Sequence, residues 1–166
     1  MIEAASTLTS EKAVALFEKF GIYTKAELES REEIIYETYA KTINIEALTM
    51  IDMAGKQIIP AVVKYTKTLA DTANAIKAAG GDASVQTELL ADVSTKLAAM
   101  QKELNKLVAD EKEASAMEDV KAQAFFYKDT IKATMDELRK PADELEMIVD
   151  KDVWPIPTYG ELMFEV

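Results

Sequence analysis

Residues 83–110, ASVQTELLADVSTKLAAMQKELNKLVAD, contain neither glycine nor proline. An apolar stripe runs through them at Val85, Leu89, Val93, Leu97, Met100, Leu104 and Leu107. Steps of four and three residues place all seven on one face of an α-helix, which takes 3.6 residues per turn. A half-buried strand would instead alternate with period two. A second stripe of the same kind follows at Val120, Ala124, Tyr127, Ile131, Leu138, Ala142, Leu145 and Val149, with Met135 beside it. The polar segment 110–119 separates the two. A turn near Ala114–Met117 makes two arms that pair antiparallel, burying stripes that a single rod would leave wet.

Upstream, Thr9 and Ser10 precede the run Glu11-Lys-Ala-Val-Ala-Leu-Phe and Gly21 follows Phe20, which predicts a short helix with a hydroxyl cap and a glycine just past its end. Thr24 and Glu27 form a capping box that opens a second helix. From there to Gly80-Gly81 only Gly55 and Pro60 interrupt, a run of about 80 Å at 1.5 Å per residue. Pro60 removes a backbone donor and crowds the carbonyl of Lys56, which predicts a kink near Lys56 within one helix. Gly80-Gly81-Asp82 is a turn, with Asp82 or Ser84 available to cap the next helix.

The whole chain has 166 residues, with only five Gly and four Pro, too few turn-formers for a sandwich or barrel. The expected fold is therefore all-α: one domain over 1–166, an elongated bundle of three long helices, the first kinked near Pro60. A short N-terminal helix and an extended C-terminal tail over 151–166 complete it. Pro155 and Pro157 stop helix continuation in that tail. It also carries the single Trp, Trp154, and ends in Leu162, Met163 and Phe164 before the last two residues. A disordered tail would be polar, so this one is expected to dock.

Composition excludes much chemistry. With no Cys there is no disulfide, thiolate metal site or cysteine nucleophile, and with no His there is no Ser-His-Asp triad. A net charge of −11 opposes nucleic-acid binding, which needs clustered cations. No apolar run approaches a membrane span and the N-terminus has no signal-peptide pattern, so a cytoplasmic protein is expected. Asp150, Asp152 and Glu161 have calcium-loop spacing, but Pro155 occupies the place of the required glycine. Glu29, Glu32, Glu33 and Glu37 read as a solvated helix face, with Lys41 four residues after Glu37. Neither phosphate-loop nor dinucleotide motif occurs, so no catalytic, cofactor-binding or metal-binding residue is assigned.

One stretch asks for a partner. Ile45, Leu48, Met50, Ile51, Met53, Ile58, Ile59, Val62 and Val63 point in most directions around their helix. A helix apolar all round is buried on all sides, by its own bundle or by another domain or subunit. In the second case Asn44 and Gln57 would supply hydrogen bonds at the contact. The candidate interface is Met50, Ile51, Ile58, Ile59 and Val62, with Trp154, Tyr159 and Phe164 from the tail.

Leu16-Phe-Glu-Lys-Phe-Gly-Ile-Tyr-Thr-Lys-Ala-Glu-Leu-Glu-Ser-Arg31, Ile43-Asn-Ile-Glu-Ala-Leu-Thr-Met-Ile-Asp-Met-Ala54 and Ile58-Ile-Pro-Ala-Val62 resemble the region after the catalytic domain of type III glutamine synthetases. The ending, from Asp143-Glu-Leu-Glu146 through Trp154-Pro-Ile-Pro157 to Val166, is similar to the terminus of those enzymes. The resemblance is loosest around residues 80–115. It implies a non-catalytic part of an oligomeric ligase that joins ammonia to glutamate, with a structural role in packing or assembly. The parent enzyme would use ATP and divalent metal ions (Mg or Mn), all held by residues outside this chain. The partners implied are the catalytic domain and neighbouring subunits of a ring. A free-standing helical adaptor and a regulatory ligand-binding module are the alternatives.

Overall fold

The computed structural model describes residues 2–164, and every regular element among them is helical. In chain order these are α1 (Ile2–Ala5), α2 (Glu11–Lys19), α3 (Lys25–Met53), a π-helical turn (Ala54–Ile58) and α4 (Ile59–Ala78). Then come α5 (Ser84–Ser115), α6 (Val120–Phe126), a second π-helical turn (Tyr127–Ile131), α7 (Lys132–Glu146) and α8 (Tyr159–Phe164). The all-α class is as expected.

The count of three long helices is corrected. Two α-helices are long, α3 with 29 residues and α5 with 32, and π-helical turns divide the other helical stretches. Ahead of Pro60 the Ile59 amide donates to the carbonyl of Ala54, five residues back. Pro60 lacks an amide hydrogen and its ring needs room at the preceding turn, and a turn widened by one residue meets both demands. The second π-helical turn, closed by the Lys132 amide on the Tyr127 carbonyl, contains neither Gly nor Pro. Pro141 lies inside α7 and is buried there.

The helix ends follow local chemistry. Ser10 Oγ accepts the Ala13 amide at 3.4 Å, and the Thr24 amide donates to Glu27 Oε2 at 2.7 Å. At the end of α2 the Gly21 amide reaches the Glu18 carbonyl and the Ile22 amide the Phe17 carbonyl, each at 3.0 Å. After α4 the Gly80 amide reaches Lys77 and the Gly81 amide reaches Ile76 in the same double closure. Gly21 and Gly80 have φ of 64° and 78°, the left-handed conformation that such a stop requires. Asp82 accepts the Ser84 amide at 2.9 Å, and Asp119 accepts the Ala122 amide at 2.6 Å to start α6.

The extended tail is corrected in part. Its last described residues form α8, opened by a second capping box in which the Thr158 amide donates to Glu161 Oε2 at 2.8 Å.

The chain divides into two compact units. The first combines the chain through Leu48 with Ala109–Ala133. Its core is Ile2, Ala5, Tyr36 and Ala124, with Ile35, Tyr39, Val120 and Phe125 packed against it. The rings of Tyr36 and Phe125 lie 6.2 Å apart and tilted by 48°. Gln123 Nε2 donates to the Ala114 carbonyl at 3.0 Å across the α5–α6 turn, and Lys128 pairs with Glu3.

The second unit combines Thr49–Val108 with the chain from Thr134 onward. Val62, Val93, Met100, Leu107, Leu138 and Leu145 are buried in it. Each such aliphatic side chain contributes roughly 1.5–3 kcal/mol on leaving water. Of the stripe that decides the helical reading, Val93, Met100, Leu104 and Leu107 are buried, whereas Val85 at the start of α5 is exposed. Tyr65 donates to the Ile148 carbonyl at 3.5 Å, and Lys96 pairs with Asp92 and lies 3.7 Å from Glu144.

Candidate interaction surface

The apolar middle of the α3–α4 run divides by burial. Ile58 and Val62 are buried within the second unit, while Met50, Ile51 and Ile59 are half-buried. Val63 is 51% exposed, and Gln57 also faces outward. Asn44 belongs to the first unit, and its Oδ1 is buried without a hydrogen bond among the described residues.

The tail meets this stretch directly. Ile58 and Trp154 line one hollow of 160 Å³, together with Ala142, Glu146, Pro157 and Leu162. Trp154 is only 8% exposed, and its indole Nε1 has no partner among the described residues. A bulky ring placed just ahead of two prolines thus anchors on the chain's own helices. Pro155 and Pro157 hold the backbone extended there, which lowers the entropy lost on docking. Phe164 is placed differently, at 80% exposure, beside exposed Leu162 and Met163. Tyr159 is described only as the first residue of α8.

Electrostatics pin the same tail. Glu161 Oε1 lies 2.8 Å from Lys151 Nζ, and its other oxygen holds Thr158. The Lys151 hydrogen bond, followed by those from Thr158, lowers the Glu161 pKa to about 2. Residues with calcium-loop spacing are therefore used as a turn acceptor (Asp150 to the Asp152 amide, 2.9 Å) and a helix cap.

The glutamate-rich face of α3 lies beside an open groove of 490 Å³ in the first unit, lined by Glu29, Glu32, Glu33, Tyr36, Glu118 and Lys121 among others. Glu32 is already engaged, accepting Thr9 Oγ1 at 2.6 Å and the Tyr36 hydroxyl at 2.9 Å, with Lys121 at 3.8 Å. Burial opposes its ionisation, but the hydrogen bonds from Thr9 and Tyr36 and the Lys121 charge outweigh that, so its pKa is lowered. Burial, then the Glu32 carboxylate, pushes the Tyr36 phenol up to about 12. Among the described residues no group of three or more acidic side chains is arranged to hold a metal ion.

A second apolar surface in the first unit was not singled out by sequence. Leu16, Phe20, Ile22 and Ile34 are all more than half exposed. They lie on α2, on the turn after it and on the first turns of α3, and Ile34 also lines a hollow of 330 Å³ with Phe17 and Tyr23. The signal that points there is the Phe17–Tyr23 interval itself, seven residues with three aromatics around a glycine.

The fold and these surfaces define an acidic, all-helical protein with exposed apolar side chains among the described residues. Residues 1–77 match the family model of the glutamine synthetase C-terminal domain. The chain is 38% identical over 159 residues to a glutamine synthetase of Butyrivibrio fibrisolvens, covering 95% of this chain. It is 32% identical over 168 residues to the type-3 glutamine synthetase of Dictyostelium discoideum, covering 98% of this chain, and 28% identical to a glutamine synthetase of Bacteroides fragilis. The chain is thus similar to the glutamine synthetase C-terminal domain over residues 1–77 and, over nearly its whole length, to glutamine synthetases that include a type-3 enzyme. The chain spans 23% of the length of each of these relatives. No helix among the described residues is long and apolar enough to cross a membrane.

Proposed function

We propose that this chain is the non-catalytic, single helical domain at the C-terminus of a type III glutamine synthetase, serving packing and oligomer assembly. The parent enzyme would ligate ammonia to glutamate in the cytoplasm with ATP and Mg or Mn. The cofactor-binding and catalytic groups would come from the catalytic domain, and neighbouring subunits of a ring would complete the assembly. The observation that carries this reading is coverage: 95–98% of the chain aligns with relatives of which it makes up 23%. The half-buried Met50, Ile51 and Ile59 beside exposed Val63 give the second unit an apolar edge suited to such packing.

The first test is the size of the native product, read by immunoblotting source cells with an antibody to this chain. A band several times larger than 18.4 kDa, with glutamine synthetase activity in the precipitate, is the expected result. A single 18.4 kDa band that copurifies with no ligase would sink the reading. Ile51→Asp and Val63→Asp in the full protein then test assembly without placing a charge in the core, which Ile58→Asp would do.

A further inference from the structure

The apolar hollow at the junction of α2 and α3 has features of a seat rather than of loose packing. Phe17 and Tyr23 face each other across the glycine stop, ring centroids 5.7 Å apart and tilted by 53°. Leu8, Leu28, Ile34 and Ile35 supply further walls. Phe20 and Ile22, at 65% and 56% exposure, lie on the turn between lining residues Phe17 and Tyr23, closed by two backbone hydrogen bonds and Gly21. A rigid turn presents its apolar side chains with little ordering entropy left to lose, which is what a contact anchor needs.

Arg31 is the single charged residue in the lining. Its guanidinium carbon lies over Tyr23, 4.2 Å from the ring centroid; it makes no salt bridge among the described residues, although its charge helps to lower the Glu27 pKa. A guanidinium held over a ring keeps N–H donors that a carboxylate or a backbone carbonyl can take. The ligand chemistry is therefore an apolar peptide segment that carries an acceptor, best a carboxylate, opposite Arg31.

Two observations choose the occupant. All the lining residues fall within 1–77, the portion that matches the glutamine synthetase C-terminal domain, and the relatives carry most of their length outside the 23% that this chain spans. A second copy would instead bring another net charge of −11 to the contact. We infer that the α2–α3 hollow seats an apolar, carboxylate-bearing segment of the catalytic part of the same glutamine synthetase, with Phe20 and Ile22 as anchors and Arg31 as the polar clamp. This rests on the reading proposed above and assigns it a face in the first unit, separate from the Met50–Val63 edge.

The test is photo-crosslinking in the full gene product expressed in its source cells, with p-benzoylphenylalanine replacing Phe20 in one strain and Ile51 in another. Linked peptides are identified by mass spectrometry, from mixed heavy- and light-isotope cultures. The expected result is a peptide of the catalytic part joined at position 20, its yield reduced about tenfold or more by Arg31→Ala or Ile22→Asp. Links from position 20 to a second copy, to an unrelated protein or to nothing would overturn the inference. If position 51 alone reaches the catalytic part, this face is wrong and the broader reading survives. If neither position does, and the immunoblot shows only a free 18.4 kDa chain, both fall.

Discussion

Lys151 and Glu161 close the tail on itself: the ammonium lies 2.8 Å from one carboxylate oxygen while the other oxygen caps α8 through Thr158. The Glu161 pKa is held near 2 against an ordinary 4.5, so the unfolded chain takes up this proton at a higher pH than the folded one. The stabilisation is therefore full above pH 4.5 and is lost as pH falls toward 2. Carboxyl-carbon NMR titration is expected to show Glu161 still ionised at about pH 3. Lys151→Ala should move its midpoint upward, and an unchanged midpoint would remove Lys151 as the main cause.

Trp154 reports on docking because it is the single tryptophan. Its burial predicts blue-shifted emission in the native state and a red shift when the tail is displaced. Trp154→Ala is expected to destabilise by about 3–5 kcal/mol in urea unfolding, the range for deleting a buried large ring. A loss below about 1 kcal/mol would mean that the tail is not anchored there.

Gly81 is limited by space rather than by backbone conformation. A Cβ built there would lie 2.9 Å from Ile76 Cγ2 and 3.4 Å from the Ile76 carbonyl oxygen. Gly81→Ala should destabilise by about 1–3 kcal/mol through overpacking. Gly80→Ala, which meets nothing within 4 Å but sits at φ 78°, should destabilise by about 1–2 kcal/mol through backbone strain. The double variant Gly81→Ala/Ile76→Val keeps the Cγ2 branch, so it is not expected to recover the loss, whereas Gly81→Ala/Ile76→Ala is expected to recover part of it. Urea unfolding of the four variants checks this order.

Tyr36 and Glu32 link α3 to the chain's first turns. Tyr36→Phe keeps the ring against Phe125 and removes one hydrogen bond from a carboxylate that retains Thr9 and Lys121, so a loss of about 1 kcal/mol is expected. Because folding raises the phenol from 10 to about 12, its contribution is present below pH 10 and declines as pH rises through 12. Absorbance titration in the near ultraviolet should show tyrosines ionising late, and Tyr36→Phe should reduce that phase without removing it, because burial also raises Tyr127.

Much of this protein is written locally. The capping box at Thr24–Glu27, the glycine stops at Gly21 and Gly80, and the stripe through Val93, Met100 and Leu107 are decided within one or two turns of chain, where sterics and helical period operate. The helical class and the place of the α5–α6 turn came from those signals, and the family came from the motifs they carry. The interval around Pro60 was legible as irregular because a missing amide is a property of one residue. That it takes the form of a π-helical turn is seen only in the structure, and the second such turn, at Tyr127–Ile131, has no breaker in the sequence to mark it. The same holds for exposure. A helix apolar all round does not say which of its sides the bundle covers, and only the packed structure shows Ile58 and Val62 buried while Val63 is left out. Likewise the hydrophobicity of Trp154 and Phe164 is equal grounds for docking. Tertiary contacts decide between them, because burial is a property of what surrounds a residue and not of the residue itself.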